Sequence, residues 1–349
     1  MGRALDAVDR GQRRFPPIAV PLAVIYKYSD DQGNYLAAII TYYAFIAIFP
    51  LLLLGTSILG FILQGNPGLE SDLLDSALSQ FPIIGDQLGQ PEGLQGSTAG
   101  VVIGALVALY GSLGLGQALQ NALNIAWSVP RNRRPNPLLL RLKSLGLLLT
   151  AGVALLVLSI LSALASSTEV LGGTIASYRW PIVIASVLVI TTVLAVLFQF
   201  GVARSHDFRA ALPGAFTVAV LWQTLQYFGT LYVTNVLTGT SQMNQTFGLV
   251  LGLIGILFIA AVMGVIGIEV NVVLSHRLWP RALLTPFTDK VDLTEADKRA
   301  YADYVKAQRH KGFQNVEVTF DGPTVAMPVI EDEGHEETDR PDRPDGPEA

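Results

Sequence analysis

Apolar residues along this chain gather into long runs with few polar interruptions. Six runs reach the length of about 20 residues that a membrane-crossing helix needs. They are Leu36 to Leu63, Ala99 to Trp127, Ser144 to Ser167, Pro181 to Ala203, Ala210 to Leu237 and Phe247 to Ser275, and none contains Lys or Arg. Period-2 alternation is absent, which argues against a barrel. The pattern predicts an all-α polytopic membrane protein with six transmembrane helices. Several runs exceed the minimum, so tilted helices or projecting ends are expected.

The connections set the orientation, because cytoplasmic loops are richer in Lys and Arg. The segment before Leu36 has five such residues and the first loop, Gln64 to Thr98, has none. The second loop has five, the third only Arg179, the fourth Arg204 and Arg209, the fifth none, and the C-terminal segment ten. Basic and non-basic connections alternate throughout, which places the N-terminus and the C-terminus in the cytoplasm. No removable signal peptide is read, since no short apolar core with a cleavage site follows the N-terminal arginines.

Four parts follow. Residues 1–35 form a cytoplasmic segment, 36–275 the six-helix membrane domain, 276–330 a cytoplasmic C-terminal segment and 331–349 an acidic tail. Within the first, Ile18 to Tyr28 is apolar, carries Pro21 and is too short to span. It lies at the membrane interface or packs against the bundle. In the first loop, Asp72 to Phe81 places Leu73, Leu74, Ala77, Leu78 and Phe81 on one helical face. In the third part, Thr294 caps a predicted helix from Glu295 to Lys311, ended by Gly312. Phe313 to Phe320 alternates in the manner of a strand.

Composition agrees with the membrane class. Hydrophobic residues make up 51% and charged residues 15%, against about 25% charged in soluble domains. With no cysteine, a disulfide scaffold and cysteine-ligated zinc or iron–sulfur clusters are excluded. The net charge of −5 describes the tail: residues 331–349 hold nine acids and two bases, leaving +2 on the rest. A segment of that composition is disordered.

Polar groups inside the spans are the candidate chemistry, because they face the bundle interior or water. Gln117, Gln120, Asn121 and Asn124 share one face of the second span. Gln223, Gln226, Tyr227 and Thr230 share a face of the fifth. Gln199 lies in the fourth, Thr41, Tyr42 and Tyr43 in the first, and Glu269 and Asn271 in the sixth. Most of these fall in the cytoplasmic half, as a hydrated cavity open to the cytoplasm requires. The same amides also serve as interhelical contacts, worth about 0.6–2 kcal/mol each, and both readings stand. Glu269, about 9 Å from the end of its span at 1.5 Å per residue, is the one ionisable residue there, tyrosines aside. It is either ionised and in contact with Asn271 and neighbouring helices, or protonated; a proton-coupled role stays open but weakly supported, because no cation within the spans partners it.

Gly111, Gly114 and Gly116 mark close packing or flexibility in the second span. Gly248 and Gly252 form a GxxxG, which admits a homo-oligomer but in a Gly-rich chain reads as ordinary packing. None of the four histidines sits at metal-ligand spacing within a span, and no phosphate loop or nucleophile elbow occurs. Neither a cofactor nor a metal is expected. The basic residues Arg131 to Arg134 meet anionic headgroups rather than nucleic acid.

Taken in order, several of these pieces resemble the YihY/virulence factor BrkB family of bacterial inner-membrane proteins, once labelled ribonuclease BN. They are Thr41-Tyr42-Tyr43 running to Phe49-Pro50, Leu123-Asn124 before Trp127, Leu212-Pro213-Gly214-Ala215 with Trp222, and Gly267-Ile268-Glu269-Val270-Asn271. The resemblance covers roughly Leu36 to Ser275. Ala47 and Ile268 depart from it, standing where Ser and Ala are common. The resemblance implies six helices with both ends cytoplasmic and supplies no activity.

Two functions are expected from the residues. The first is transport or translocation of an amphipathic or lipid-like substrate through a cytoplasm-facing cavity lined by Glu269, Asn271, Asn124, Gln120, Gln117, Asn121, Tyr43, Gln223, Gln226 and Gln199, with membrane lipids as partners. The second is a non-enzymatic envelope scaffold or regulator. No acid/base or metal constellation for cutting RNA is present, so no ribonuclease activity is expected.

Overall fold

The computed structural model describes residues 9–62, 98–150, 152, 175–203, 207–236, 242–283, 285 and 291–320. Among these residues the chain is all-helical, without a β-strand. Besides a short helical stretch at 9–14 and a 3-10 turn at Arg131–Arg133, the helices are α1 (Pro16–Asp30), α2 (Gly33–Ile62), α3 (Thr98–Ala126), α4 (from 137 through 150), α5 (Ile175–Gly201), α6 (Phe208–Val236), α7 (Gln242–His276) and α8 (Glu295–Ala307). Helices therefore stand at the first, second, fourth, fifth and sixth apolar runs and at the start of the third. The rest of the third run lies outside the described residues, as do the expected loop helix at Asp72 to Phe81 and the acidic tail. Among the described residues two stretches are long and apolar enough on their own to cross a membrane, Val183–Gly201 and Val250–His276.

Local chemistry sets the ends. α1 opens on Pro16 and Pro17, whose fixed φ suits a first turn and whose missing N–H groups would find no partner there. A left-handed Gln32, φ 56°, turns the chain from α1 into α2. α3 and α7 stop alike: Ser128 and Arg277 take left-handed φ values of 49° and 51°, and the next residue's N–H returns to a carbonyl five back. Such a residue satisfies carbonyls that the helix end would leave unbonded. In α4, the Asn136 side chain accepts from the Leu139 N–H at 2.9 Å, an N-cap ahead of Pro137.

α7 is the centre of the packing. It lies against α6, α2, α1 and α3, while α2 pairs with α3 and α5 with α6. The core joins Leu123, Trp127, Phe198, Val265, Ile268, Val272 and Leu278. At the α6–α7 crossing two glycines bring backbones together: a Cβ on Gly214 would stand 1.8 Å from the Gly267 carbonyl oxygen. The glycines of α3 pack likewise. Gly111 abuts Ala47, Gly114 the Tyr43 ring and Gly116 Ser144, so close packing is their role.

α1 packs against the bundle. Ala19, Ala23, Val24, Tyr26 and Lys27 are buried, while Phe15, Ile18 and Ile25 are exposed. Two sequence expectations need correction. α8 ends at Ala307 rather than Lys311, because the chain turns at Gln308 and Arg309 bonds the carbonyls of Lys311 and Gly312. Residues 313–320 form no strand, since no neighbouring segment offers a ladder of hydrogen bonds.

Candidate functional site

A fully buried charge lies where α1 meets α7. Glu269 and Asn271 are both fully buried near the C-terminal end of α7, but they face different helices. Glu269 faces α1. Its Oε2 lies 3.8 Å from the Lys27 ammonium, which also bonds the Asp31 carboxylate one turn along α1. The Asp31 and Glu269 carboxyls therefore share one ammonium between them. Lys27, which lies before the first apolar run, thus supplies the cation partner that the runs themselves lack. Burial alone would pull the Lys27 ammonium down, but Glu269 and Asp31 outweigh it and hold it above its ordinary value. Burial lifts the Asp31 carboxyl above its usual range, with Lys27 pulling it back.

A second buried cluster adjoins the first through Asp30. Arg281 is fully buried and its Nε donates to Asp297, while Nη2 donates to Asp30 at 3.2 Å. Its guanidinium lies 5.8 Å from the Tyr26 ring centroid and 5.3 Å from that of Tyr301. Gln12 Nε2 donates to the Arg281 carbonyl at 2.6 Å. Asp297 also accepts from the Ala282 N–H at 3.0 Å and completes a capping box with Thr294 at the head of α8. The N-terminal segment, the stretch after α7 and α8 therefore form one charged, hydrogen-bonded body.

The remaining candidates divide by burial. Gln120 is buried and its Nε2 donates to Ser144 Oγ at 2.9 Å and to the Leu140 carbonyl at 3.0 Å, tying α3 to α4. Asn124 Oδ1 accepts from the Ala203 N–H at 2.9 Å, tying α3 to the end of α5. Asn271 Oδ1 accepts from the Gly214 N–H at 2.7 Å across the α6–α7 crossing. These three amides bond outward to neighbouring helices and not to one another. Asn121 is exposed and accepts from Arg134 at 3.3 Å. Gln117, Gln199, Gln223, Gln226 and Tyr43 are half-buried, and Tyr43 stacks edge-on to Tyr42.

Sequence reasoning missed Lys27, Asp31, Asp30, Arg281 and Asp297. Lys27 and Arg281 entered only as positive charges that orient the chain. One signal was available: Lys27 and Asp31 stand four apart at the end of an apolar helix, the spacing of an intrahelical ion pair.

A bundle of apolar helices, two of them among the described residues long and apolar enough to cross a membrane, fits a helical membrane protein. The comparisons then place it. A sequence model of the virulence factor BrkB family matches residues 24–288, and the chain belongs to this family. An uncharacterized protein of Dickeya dadantii (strain 3937) is 26% identical over 260 residues, covering 69% of this chain and 78% of that protein. The inner membrane protein YhjD of Escherichia coli (strain K12) is 29% identical over 121 residues, covering 32% of this chain and 36% of YhjD. No solved structure matches.

Proposed function

We propose that this chain is a multi-pass inner-membrane protein with six spans and both termini cytoplasmic, and that it moves an amphipathic or lipid-like substrate through a polar site near the cytoplasmic face. The observation that carries the reading is Glu269, a fully buried carboxylate ion-paired to Lys27 near the basic end of α7. Ionisable groups at membrane depth are costly and mark substrate or ion paths by default. The apolar half of such a substrate suits the exposed apolar side chains of the same bundle, Ile39 and Tyr42 on α2 and Ile254, Phe258 and Ile259 further along α7. The matched name of YhjD supports the inner membrane. In this reading the protein is not an enzyme and binds no nucleic acid.

One observation favours a second reading, a non-enzymatic envelope scaffold. Gln120, Asn124 and Asn271, all expected to line a cavity, instead join helices. Mass spectrometry of lipids and metabolites retained in native nanodiscs separates the two. A specific species present in the wild type and lost in Glu269→Gln supports transport. Bulk lipid alone in both samples supports the scaffold. The topology is tested beside it, since a chain without cysteine takes single-cysteine labels cleanly. Ser97→Cys should react with an impermeant maleimide in spheroplasts and Arg133→Cys only after lysis.

A further inference from the structure

The α1–α7 contact buries one ammonium against two carboxyl groups. The side chains of Lys27, Asp31 and Glu269 are 5%, 2% and 0% exposed, so water does not neutralise the surplus negative charge. Lys27 donates to Asp31, while neither oxygen of Glu269 meets a hydrogen-bond donor. Asp31 and Glu269 thus crowd around one ammonium in a dry contact, and two carboxylates that close together repel unless one of them carries a proton. Among the described residues no three His, Cys, Asp or Glu side chains are arranged to hold a metal ion.

Among the described residues, the charged or titratable groups acting on Glu269 are Lys27, Asp30, Asp31 and Tyr28, all from α1 and the residue that caps it. Neither α2 nor α3 carries an Asp, Glu, Lys or Arg, and the one such residue of α6 is Arg209 in its first turn. On α7 the other titratable side chain is His276, about 10 Å further along at 1.5 Å per residue, where it meets Asp303 and Trp127.

We propose that Asp31 and Glu269 hold a single proton between them and that this proton fastens α1 to α7, making α1 a strap released by deprotonation toward the cytoplasm. The proton leaves a carboxyl oxygen for water, Lys27 stays charged, and the site passes from neutral to −1. An uncompensated charge in a dry contact is unfavourable, so α1 lifts from α7 until water reaches the pair. The proposal rests on the reading of α7 as a span ending at the cytoplasm, and gives the transport reading its driving ion.

Infrared spectroscopy of the full chain in nanodiscs reads the proton directly. The wild type at neutral pH should show the carbonyl stretch of a protonated carboxylic acid, shifting in heavy water and vanishing as the pH is raised. Glu269→Gln and Asp31→Asn should each lose the band, because Lys27 then balances the one remaining carboxylate. Should either variant fail to fold, the other serves. Absence of the band from the wild type overturns the proposal, as does its survival in both variants. A band that answers to sodium at fixed pH overturns it in favour of a metal cation. Bulk lipid alone in the nanodisc experiment would sink substrate transport and leave an intact band standing.

Discussion

Gly214→Ala tests the packing of α6 on α7, on which the position of Asn271 depends. The added methyl would lie 1.8 Å from the Gly267 carbonyl oxygen, about 1.6 Å short of the 3.4 Å at which ordinary contact begins. That oxygen is backbone and cannot rotate away, so the helices must part. Asn271 Cγ and Oδ1 each stand 2.7 Å from the new atom, so the amide must also release the Gly214 N–H. Overpacking costs about 1–3 kcal/mol, and an interhelical hydrogen bond in a membrane about 0.6–1.7 kcal/mol. The expected loss is therefore about 2–5 kcal/mol. Gly264→Ala is the control three residues from Gly267 on the same helix. Nothing lies within 4 Å of its Cβ position, so the change should be neutral or gain up to about 1 kcal/mol of helix propensity. Unfolding in mixed micelles by added denaturing detergent measures both. A Gly214→Ala protein within about 0.5 kcal/mol of the wild type, the range of inconsequential substitutions, refutes the reasoning. So does a Gly264→Ala protein that loses as much as Gly214→Ala.

Two further outcomes follow from the buried charges. Arg281→Met leaves Asp297 buried without its cation, a change worth about 3–5 kcal/mol. α8 should then detach, and trypsin should cut at Lys298 and Arg299 faster than in the wild type; an unchanged digestion rate would show that α8 docks by other contacts. Asp31→Asn removes a carboxyl that burial lifts above its ordinary value of 3.8, Lys27 drawing it partly back. A group raised in the folded state stabilises fully below 3.8, and that contribution fades as the pH climbs through the raised value. The thermal midpoint of the wild type relative to Asp31→Asn should therefore decline from acid toward neutral pH, and a difference that grows instead refutes the sign.

The positions of the helices were legible because long apolar runs leave few alternatives. Ends were less so. Gly312 was read as the stop of α8, but a polar helix outside the spans ends where its carbonyls find partners, here at Gln308 and Arg309. The alternation at Phe313 to Phe320 misled because a strand needs a neighbour, and a period alone does not supply one. Glu269 was found because a lone carboxylate in an apolar run has no ordinary reason to be there. Lys27 and Arg281 were not, because counting basic residues by segment uses their number and discards their place. Asn124, Gln120 and Asn271 drew attention as polar groups in apolar helices, yet sequence cannot say whether an amide faces water or a neighbouring backbone.

Spacing on α1 explains why its two charged contacts belong together. Lys27 and Asp31 stand four apart and form one stripe, toward Glu269 on α7. Tyr26 and Asp30 also stand four apart, and form the adjacent stripe toward Arg281. A helix of 3.6 residues per turn sets the two stripes about 100° apart, so α1 is held from two sides by different parts of the chain. Arg281 is in turn fixed to Asp297 at the head of α8, and Tyr26 bonds the Leu283 carbonyl. Any shift of α1 relative to α7 must therefore strain or break contacts with the stretch after α7 and with α8. The C-terminal segment, which lies beyond the last apolar run, is in this respect a structural part of the helical bundle. Truncation after His276 would thus be expected to disturb the Lys27–Glu269 pair even though it removes neither residue.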